Sequence, residues 1–290
     1  MKALAGYIVS GRWQAALVTT ASGLLALILL PLSCLGASSI ALVTLHVGVF
    51  SGLQVMGLAA ASVILLYLLA GVQVVVVIVM LLLLWVPCWL AAAILQQTRD
   101  PGAAFKAATL FGVTLLLLVY ASIQEPAAAW LDVLKAMLAM LEETGFKLDG
   151  LSDEQLLQEF AALMTGVVLS WLVLGILASL LLARWWQSLL VHPGAFREEF
   201  CSLRMGNLAG ILTVGMLLVA RLTQDTTSEI TAQLAMIMLV PYLLVGLAVI
   251  HSLVKQAGRG YGWLVAVYLL LAFVPQTTLL LAAGGLLDTW

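Results

Sequence analysis

From Trp13 to Thr98 the chain carries no aspartate, glutamate, lysine or arginine, and His46 is the single histidine in that stretch. As helix the stretch would be about 130 Å long at ~1.5 Å per residue. A hydrocarbon core is about 30 Å thick, so roughly four crossings fit within it. A soluble domain does not hide that much uncharged, Val- and Leu-rich backbone. Charged residues make up 9% of the whole chain, against about 25% in soluble proteins. Three cysteines, Cys34, Cys88 and Cys201, stand far apart, which excludes a disulfide framework. With three histidines and no His-Glu-x-x-His run, a zinc protease is excluded. No Gly-x-Ser-x-Gly elbow and no glycine-rich phosphate loop with lysine occur. The apolar runs contain almost no ionisable side chain, which argues against a proton pump or ion antiporter. The net charge of −2 offers nothing to nucleic acid. No cofactor, no metal and no enzymatic activity are expected.

What is abundant is apolar: 64% of the residues are hydrophobic. The pattern predicts an all-α, polytopic transmembrane helical bundle with about nine spans. They fall near 13–31, 36–50, 53–70, 72–95, 106–124, 161–183, 206–222, 231–254 and 262–285. Residues 1–290 read as a single integral membrane domain. Lys2 and Arg12 precede the first apolar run, which reads as an uncleaved first span rather than a signal peptide. Pro87, Pro241 and Pro275 predict kinks in spans four, eight and nine. Orientation follows from loop charge. With the N-terminus inside, the inner segments hold Lys2, Arg12, Arg99, Lys106, Arg184, Arg197, Arg204, Lys255 and Arg259, nine of the twelve basic residues. The outer side holds Lys135, Lys147 and Arg221, and eleven of the fourteen acids. The chain is therefore expected N-in and C-out.

The longest connection, 125–160, is expected outside and carries eight acids and two lysines. Trp130, Leu134, Met137, Leu138 and Leu141 share one helical face, and Asp132, Lys135, Glu142 and Glu143 the other. Gly145 reads as a C-terminal cap. Ser152-Asp153-Glu154-Gln155 reads as a capping box whose helix runs on into span six, with Leu151 and Leu156 as a staple. The segment is then an amphipathic helical hairpin, either resting at the outer membrane boundary or covering a substrate opening.

The connection 184–205 is expected inside. It reads Arg184-Trp185-Trp186-Gln187-Ser188-Leu189-Leu190, then His192-Pro193-Gly194-Ala195-Phe196-Arg197-Glu198-Glu199-Phe200, then Leu203-Arg204-Met205-Gly206. Pro193-Gly194 breaks the extension of span six, and Phe196, Phe200 and Leu203 repeat at helical spacing. Arg184, Trp185, Trp186, Arg197, Phe200 and Arg204 then form either an interfacial anchor or a docking surface for a cytoplasmic partner or lipid headgroup. These residues, with Ala41-Leu42-Val43-Thr44-Leu45-His46-Val47-Gly48 earlier, resemble the YybS-like family of bacterial membrane proteins, in its proteobacterial branch. The resemblance implies a multi-pass protein of the bacterial inner membrane and brings no established activity. The family's layout is loosely similar to substrate-binding subunits of energy-coupling-factor vitamin transporters, a likeness of fold alone.

Span two is short and bracketed by Gly36, Gly48 and Gly52. Such segments can be discontinuous helices at a midplane site. Spans two and three then form a re-entrant pair, leaving seven full crossings, and His46, Gln54 and Gln73 meet near a cavity. Otherwise His46 sits at the inner headgroup level in contact with water. Gly48-x-x-x-Gly52 and Gly206-x-x-x-Gly210 read as close helix packing, with Asn207 bonded to a neighbouring helix.

Three functions fit. The first is a small-molecule transport component resembling a substrate-binding transporter subunit, dependent on a partner for energy. The second is a non-catalytic envelope scaffold or assembly factor that recruits a protein partner through the inner connection. The third, ranked last because no catalytic motif occurs, is a membrane enzyme acting on lipid. The lipid bilayer is a partner in all three, and nucleic acid in none.

Overall fold

Helix follows helix, mostly with turns of a few residues between them. The structure is a computed structural model and describes residues 1–26, 29–71, 73–143, 154–223, 226–258, 260 and 262–290. It is 88% helical, with no strand among the described residues. The helices are α1 (Lys2–Val9), α2 (Arg12–Leu25), α3 (Ser33–His46), α4 (Val49–Leu69), α5 (Val74–Thr98), α6 (Pro101–Ser122), α7 (Pro126–Glu143), α8 (Glu154–Val191), α9 (Ala195–Cys201), α10 (Asn207–Leu222), α11 (Thr226–Gln256), α12 (Gly262–Phe273) and α13 (Gln276–Leu287). Five of them, α4, α5, α6, α8 and α11, are long and apolar enough to cross a membrane unaided. The apolar helices α3, α10, α12 and α13 are shorter. At 14 residues α3 reaches only about 21 Å. Every stretch expected to span thus contains helix, but among the described residues five are long and apolar enough to reach across on their own.

The short α3 is the hub. It packs against α1, α2, α4, α5 and α8. Every residue from Gly36 to Leu45 is buried. A helix buried all round must satisfy its own polar groups, and α3 does so. Ser38 donates to the carbonyl of Cys34 (2.6 Å), Ser39 to Leu35 (2.9 Å) and Thr44 to Ile40 (2.8 Å). Gly52 of α4 lies against the Thr44 side chain, where a Cβ would collide with the hydroxyl. The Gly48/Gly52 pair therefore divides its work. Gly52 packs, whereas Gly48 takes φ +145° in the turn between α3 and α4.

Local signals make the reversals. Arg99 adopts a left-handed conformation (φ 55°) and stops α5. Asp100 then caps α6, its carboxylate accepting from the Gly102 amide at 2.8 Å, and Pro101 stands where a helix needs no amide hydrogen. At His192-Pro193-Gly194, Gly194 takes φ +99° and α8 gives way to α9.

The connections sort into two ends. At one, Arg12 donates to Gln54 (3.0 Å), Gln187 donates to the Leu45 carbonyl (2.9 Å), and Gly102 lies against the backbone carbonyl of Arg204. This basic end carries Lys2, Arg12, Arg99, Lys106, Arg184, Arg197, Arg204 and Lys255 against Asp100, Glu198 and Glu199. At the opposite, acidic end, Lys135 of α7 pairs with Glu154 of α8 at 2.9 Å, and Trp130 donates to Thr165 at 2.9 Å. These contacts fold α7 antiparallel along the start of α8. Helix α8 runs 38 residues, about 57 Å, and so outreaches a bilayer core. Trp130, Leu134 and Leu138 are half-buried, whereas Val133, Met137, Met140 and Leu141 remain exposed. The expected Gly145 cap, and Ser152 and Asp153 of the expected capping box, lie outside the described residues.

The expected ninth span, 262–285, is two helices of 12 residues each, parted at Pro275. Proline alone does not decide this. Pro87 and Pro241 sit inside continuous helices. Both are buried, whereas Pro275 is exposed. Packed neighbours can hold a helix through a proline that removes one hydrogen bond. Where that cover is missing the chain turns, and α13 folds back along α11.

Candidate functional site

The 184–205 connection is fixed to the bundle by a chain of polar contacts. Arg184 lies in the last turns of α8 and Glu199 in α9. Arg184 Nε donates to Glu199 Oε2 at 2.8 Å. Its Nη1 donates to the Gln187 side-chain oxygen. Gln187 Nε2 then donates to the carbonyl of Leu45. That carbonyl belongs to the last turn of α3, where helical carbonyls lack an intrahelical partner. The chain therefore runs from α9 through α8 to the end of the hub helix.

An aromatic row makes the second attachment. Phe196 stacks on Phe200, ring centroids 5.9 Å apart. Phe200 meets His251 of α11 edge-on at 5.4 Å, and His251 meets Tyr268 of α12 edge-on at 6.0 Å. His251 Nδ1 lies 2.9 Å from the Leu247 carbonyl. A carbonyl only accepts, so Nδ1 is the donor in this contact. Leu203 and Met205 are buried. Leu95, Phe105, Leu180, Phe196, Phe200 and Leu203 line a shallow groove to which Arg184 and Glu199 also contribute.

The residues expected at the inner connection do come to one end, though not to one surface. Trp186 is fully buried, Trp185 is half-buried, and Arg184 and Phe200 are partly covered. Arg197 and Arg204 are exposed. The Trp186 indole nitrogen has no hydrogen-bond partner among the described residues. Trp186 is thus core, whereas Arg197 and Arg204 are surface.

His46, Gln54 and Gln73 do not come together. His46 is exposed at the end of α3, and Gln54 accepts from Arg12 in the second turn of α4. Gln73 is exposed just before α5. Between Gln54 and Gln73 lies the rest of α4, about 22 Å from Gln54 to Leu69. Gln73 therefore belongs to the acidic end and the other two to the basic end. Asn207, expected to bond a neighbouring helix, stands exposed at the first position of α10.

Sequence reasoning missed His251, Tyr268 and the bridging role of Gln187. His251 had one usable signal: it stands one turn before Lys255 at the close of an uncharged run. Its aromatic neighbours come from helices distant in sequence, and no periodicity reveals them.

No protein-family model matches the chain, and neither a curated protein nor a solved structure matches it.

Proposed function

We propose that this chain is a non-catalytic membrane scaffold or assembly factor that recruits a partner at its basic end. One observation carries the reading. The 184–205 connection is bonded to the hub helix and packed onto α11, yet it leaves Arg197, Glu198 and Arg204 exposed at the same end as Arg99, Lys106 and Lys255. An interfacial anchor needs only apolar and basic residues at headgroup depth. A surface that must present one arrangement of charge to another protein gains from being fixed. The packed hub supports the same reading. Residues Gly36–Leu45 are buried, and the hydroxyls of Ser38, Ser39 and Thr44 bond within their own helix.

The basic end faces the cytoplasm in this proposal, in a bacterial inner membrane, because lysine and arginine are retained on that side. The shorter helices α2, α3, α10 and α13 complete the nine-segment bundle between the five long ones. The N-terminus lies inside with Lys2 and Arg12. In the same proposal the C-terminus points outward, since α13 runs antiparallel to α11 and so away from the basic end, with Leu281 beside Gly246 and Gly285 beside Tyr242.

A photo-crosslinking side chain at position 198 tests the proposal in intact cells. A discrete protein adduct is expected. It should disappear in Arg197→Ala/Arg204→Ala at unchanged abundance and thermal stability. Adducts with lipid alone, or a protein adduct indifferent to both arginines, would refute docking.

A further inference from the structure

At the acidic end, three helices enclose a set of neutral polar groups. Gln233 of α11 is 1% exposed. Its Nε2 donates to the Tyr120 hydroxyl of α6 at 2.7 Å and to the Ala162 carbonyl of α8 at 2.5 Å. Both amide hydrogens are thereby used. Gln233 Oε1 is buried and has no partner among the described residues, and the same holds for Ser170 Oγ of α8. Gly166 is where the Gln233 side chain meets α8, and a Cβ there would press on its Cβ and Cγ. Ser170 is one turn further along from Gly166, and residues four apart share a helix face. Because a planar amide sends its oxygen away from its nitrogen, Oε1 faces away from the Ala162 carbonyl.

The seam is bounded. Toward the basic end, Val173 and Ile237 close over Gly112, whose Cβ position both side chains occupy. On the α7 side, Trp130 is tied to Thr165, one residue before Gly166. Tyr120 accepts from Gln233 and still has its own proton to donate.

We infer that internal water occupies the seam between α6, α8 and α11, bridging Gln233 Oε1 and Ser170 Oγ beside the Tyr120 hydroxyl. Buried polar groups in proteins are satisfied by protein or by ordered water, and a buried water needs two to four partners. One acceptor, one hydroxyl and one phenol supply them. Tyr120, Ala162, Thr165, Ser170 and Gln233 carry no formal charge, and the one charge acting on the Tyr120 hydroxyl is Glu229, a turn before Gln233. Water satisfies the two orphaned atoms without any ion being desolvated, whereas a cation would depend on Glu229.

Water-edited solid-state NMR of the protein in lipid bilayers tests this. Ala232–Gln233 is the chain's single Ala–Gln step, so carbonyl-labelled alanine with uniformly carbon- and nitrogen-labelled glutamine identifies the Gln233 backbone nitrogen and, through the glutamine's own carbons, its side-chain nitrogen. Its side-chain nitrogen should receive magnetisation from water in the wild-type protein, although bulk water does not reach it. In Ser170→Ala, which keeps both Gln233 donor bonds, transfer should slow about two-fold because the water loses a partner. A resolved Gln233 signal without water transfer overturns the inference. Transfer unchanged in Ser170→Ala overturns the bridging geometry. A thermal midpoint raised by sodium chloride but not by choline chloride, and lost in Ser170→Ala, overturns the neutral occupant in favour of a cation.

Discussion

Gly246 of α11 lies directly against the backbone of Leu281 in α13. A Cβ at Gly246 would strike the Leu281 carbonyl, and one at Gly285 would strike the carbonyl of Tyr242. The two helices therefore cross with backbone nearly touching backbone, as small residues permit in membranes. Nothing flexible stands between them to give way. Gly246→Ala should lower stability by about 1–3 kcal/mol, the usual range for overpacking. Gly215→Ala is the control, since no atom lies within 4 Å of its Cβ position. It should be neutral or stabilising by up to about 1 kcal/mol. Thermal unfolding in detergent compares the two. Equal midpoints would deny the tight crossing.

The contrast between these glycines shows how far sequence could lead. Uncharged length marked α4, α5, α6, α8 and α11 as helices, because backbone in hydrocarbon must satisfy itself. The Asp100-Pro101 start and the Pro193-Gly194 break were equally legible, since both are local. Gly246 and Gly285 carry no local mark, because the partner backbone sits more than thirty residues away in the chain. The same holds for His251, which meets Phe200 and Tyr268 only in the folded bundle. His46, Gln54 and Gln73 looked like a cluster because they border short segments. The full 21-residue α4 holds Gln73 apart from the others. Pro87, Pro241 and Pro275 looked alike in sequence, and burial decided which one ended a helix.

Gln187 gives a second prediction. It links Arg184 to the Leu45 carbonyl, so removing it frees one buried acceptor and one guanidinium contact. Gln187→Ala should cost about 1–3 kcal/mol, the range for an orphaned buried group. Glu199→Gln keeps shape and removes the charge. The pair is partly exposed, with side chains 32% and 22% accessible. Solvent screening then limits the loss to about 1 kcal/mol or less. Chemical denaturation of both variants should rank Gln187→Ala as the more damaging. The reverse order would mean that the ion pair, not the helix-end carbonyl, holds the connection.

The hairpin of α7 and α8 should respond to acid. Glu154 stands six residues ahead of the uncharged run 160–183. Its carboxyl is held below the usual carboxylate range, first by the hydrogen bond from the Lys135 ammonium and then by that charge. A depressed value in the folded state means that the contribution is complete above the unfolded value, ~4.3. It is lost as pH falls through the folded value. Spin labels at positions 139 and 158 should report a narrow distance distribution at neutral pH that broadens below about pH 4. In Glu154→Gln the distribution should already be broad at neutral pH. A hairpin equally ordered at pH 3 and pH 7 would show that Trp130 and its apolar neighbours suffice.

The two ends of the bundle differ most in charge, and that difference predicts sidedness. Among the described residues the basic end has eight lysines and arginines against Asp100, Glu198 and Glu199. The acidic end has Glu125, Asp132, Glu143, Glu154, Glu159 and Glu229 against Lys135 and Arg221. Basic residues near span ends are retained on the cytoplasmic side, whereas acids exert little pull. The prediction therefore rests on the lysines and arginines, not on net charge. Cysteine scanning reads it directly. With Cys34, Cys88 and Cys201 replaced, single cysteines are placed at exposed positions 132 and 198. An impermeant maleimide should label position 132 in intact cells and position 198 only after the membrane is opened. Moving one lysine does not reverse eight, so Lys255→Gln should leave the pattern unchanged. Labelling of position 198 in intact cells, with 132 protected, would place the docking surface outside and remove any cytoplasmic partner from consideration.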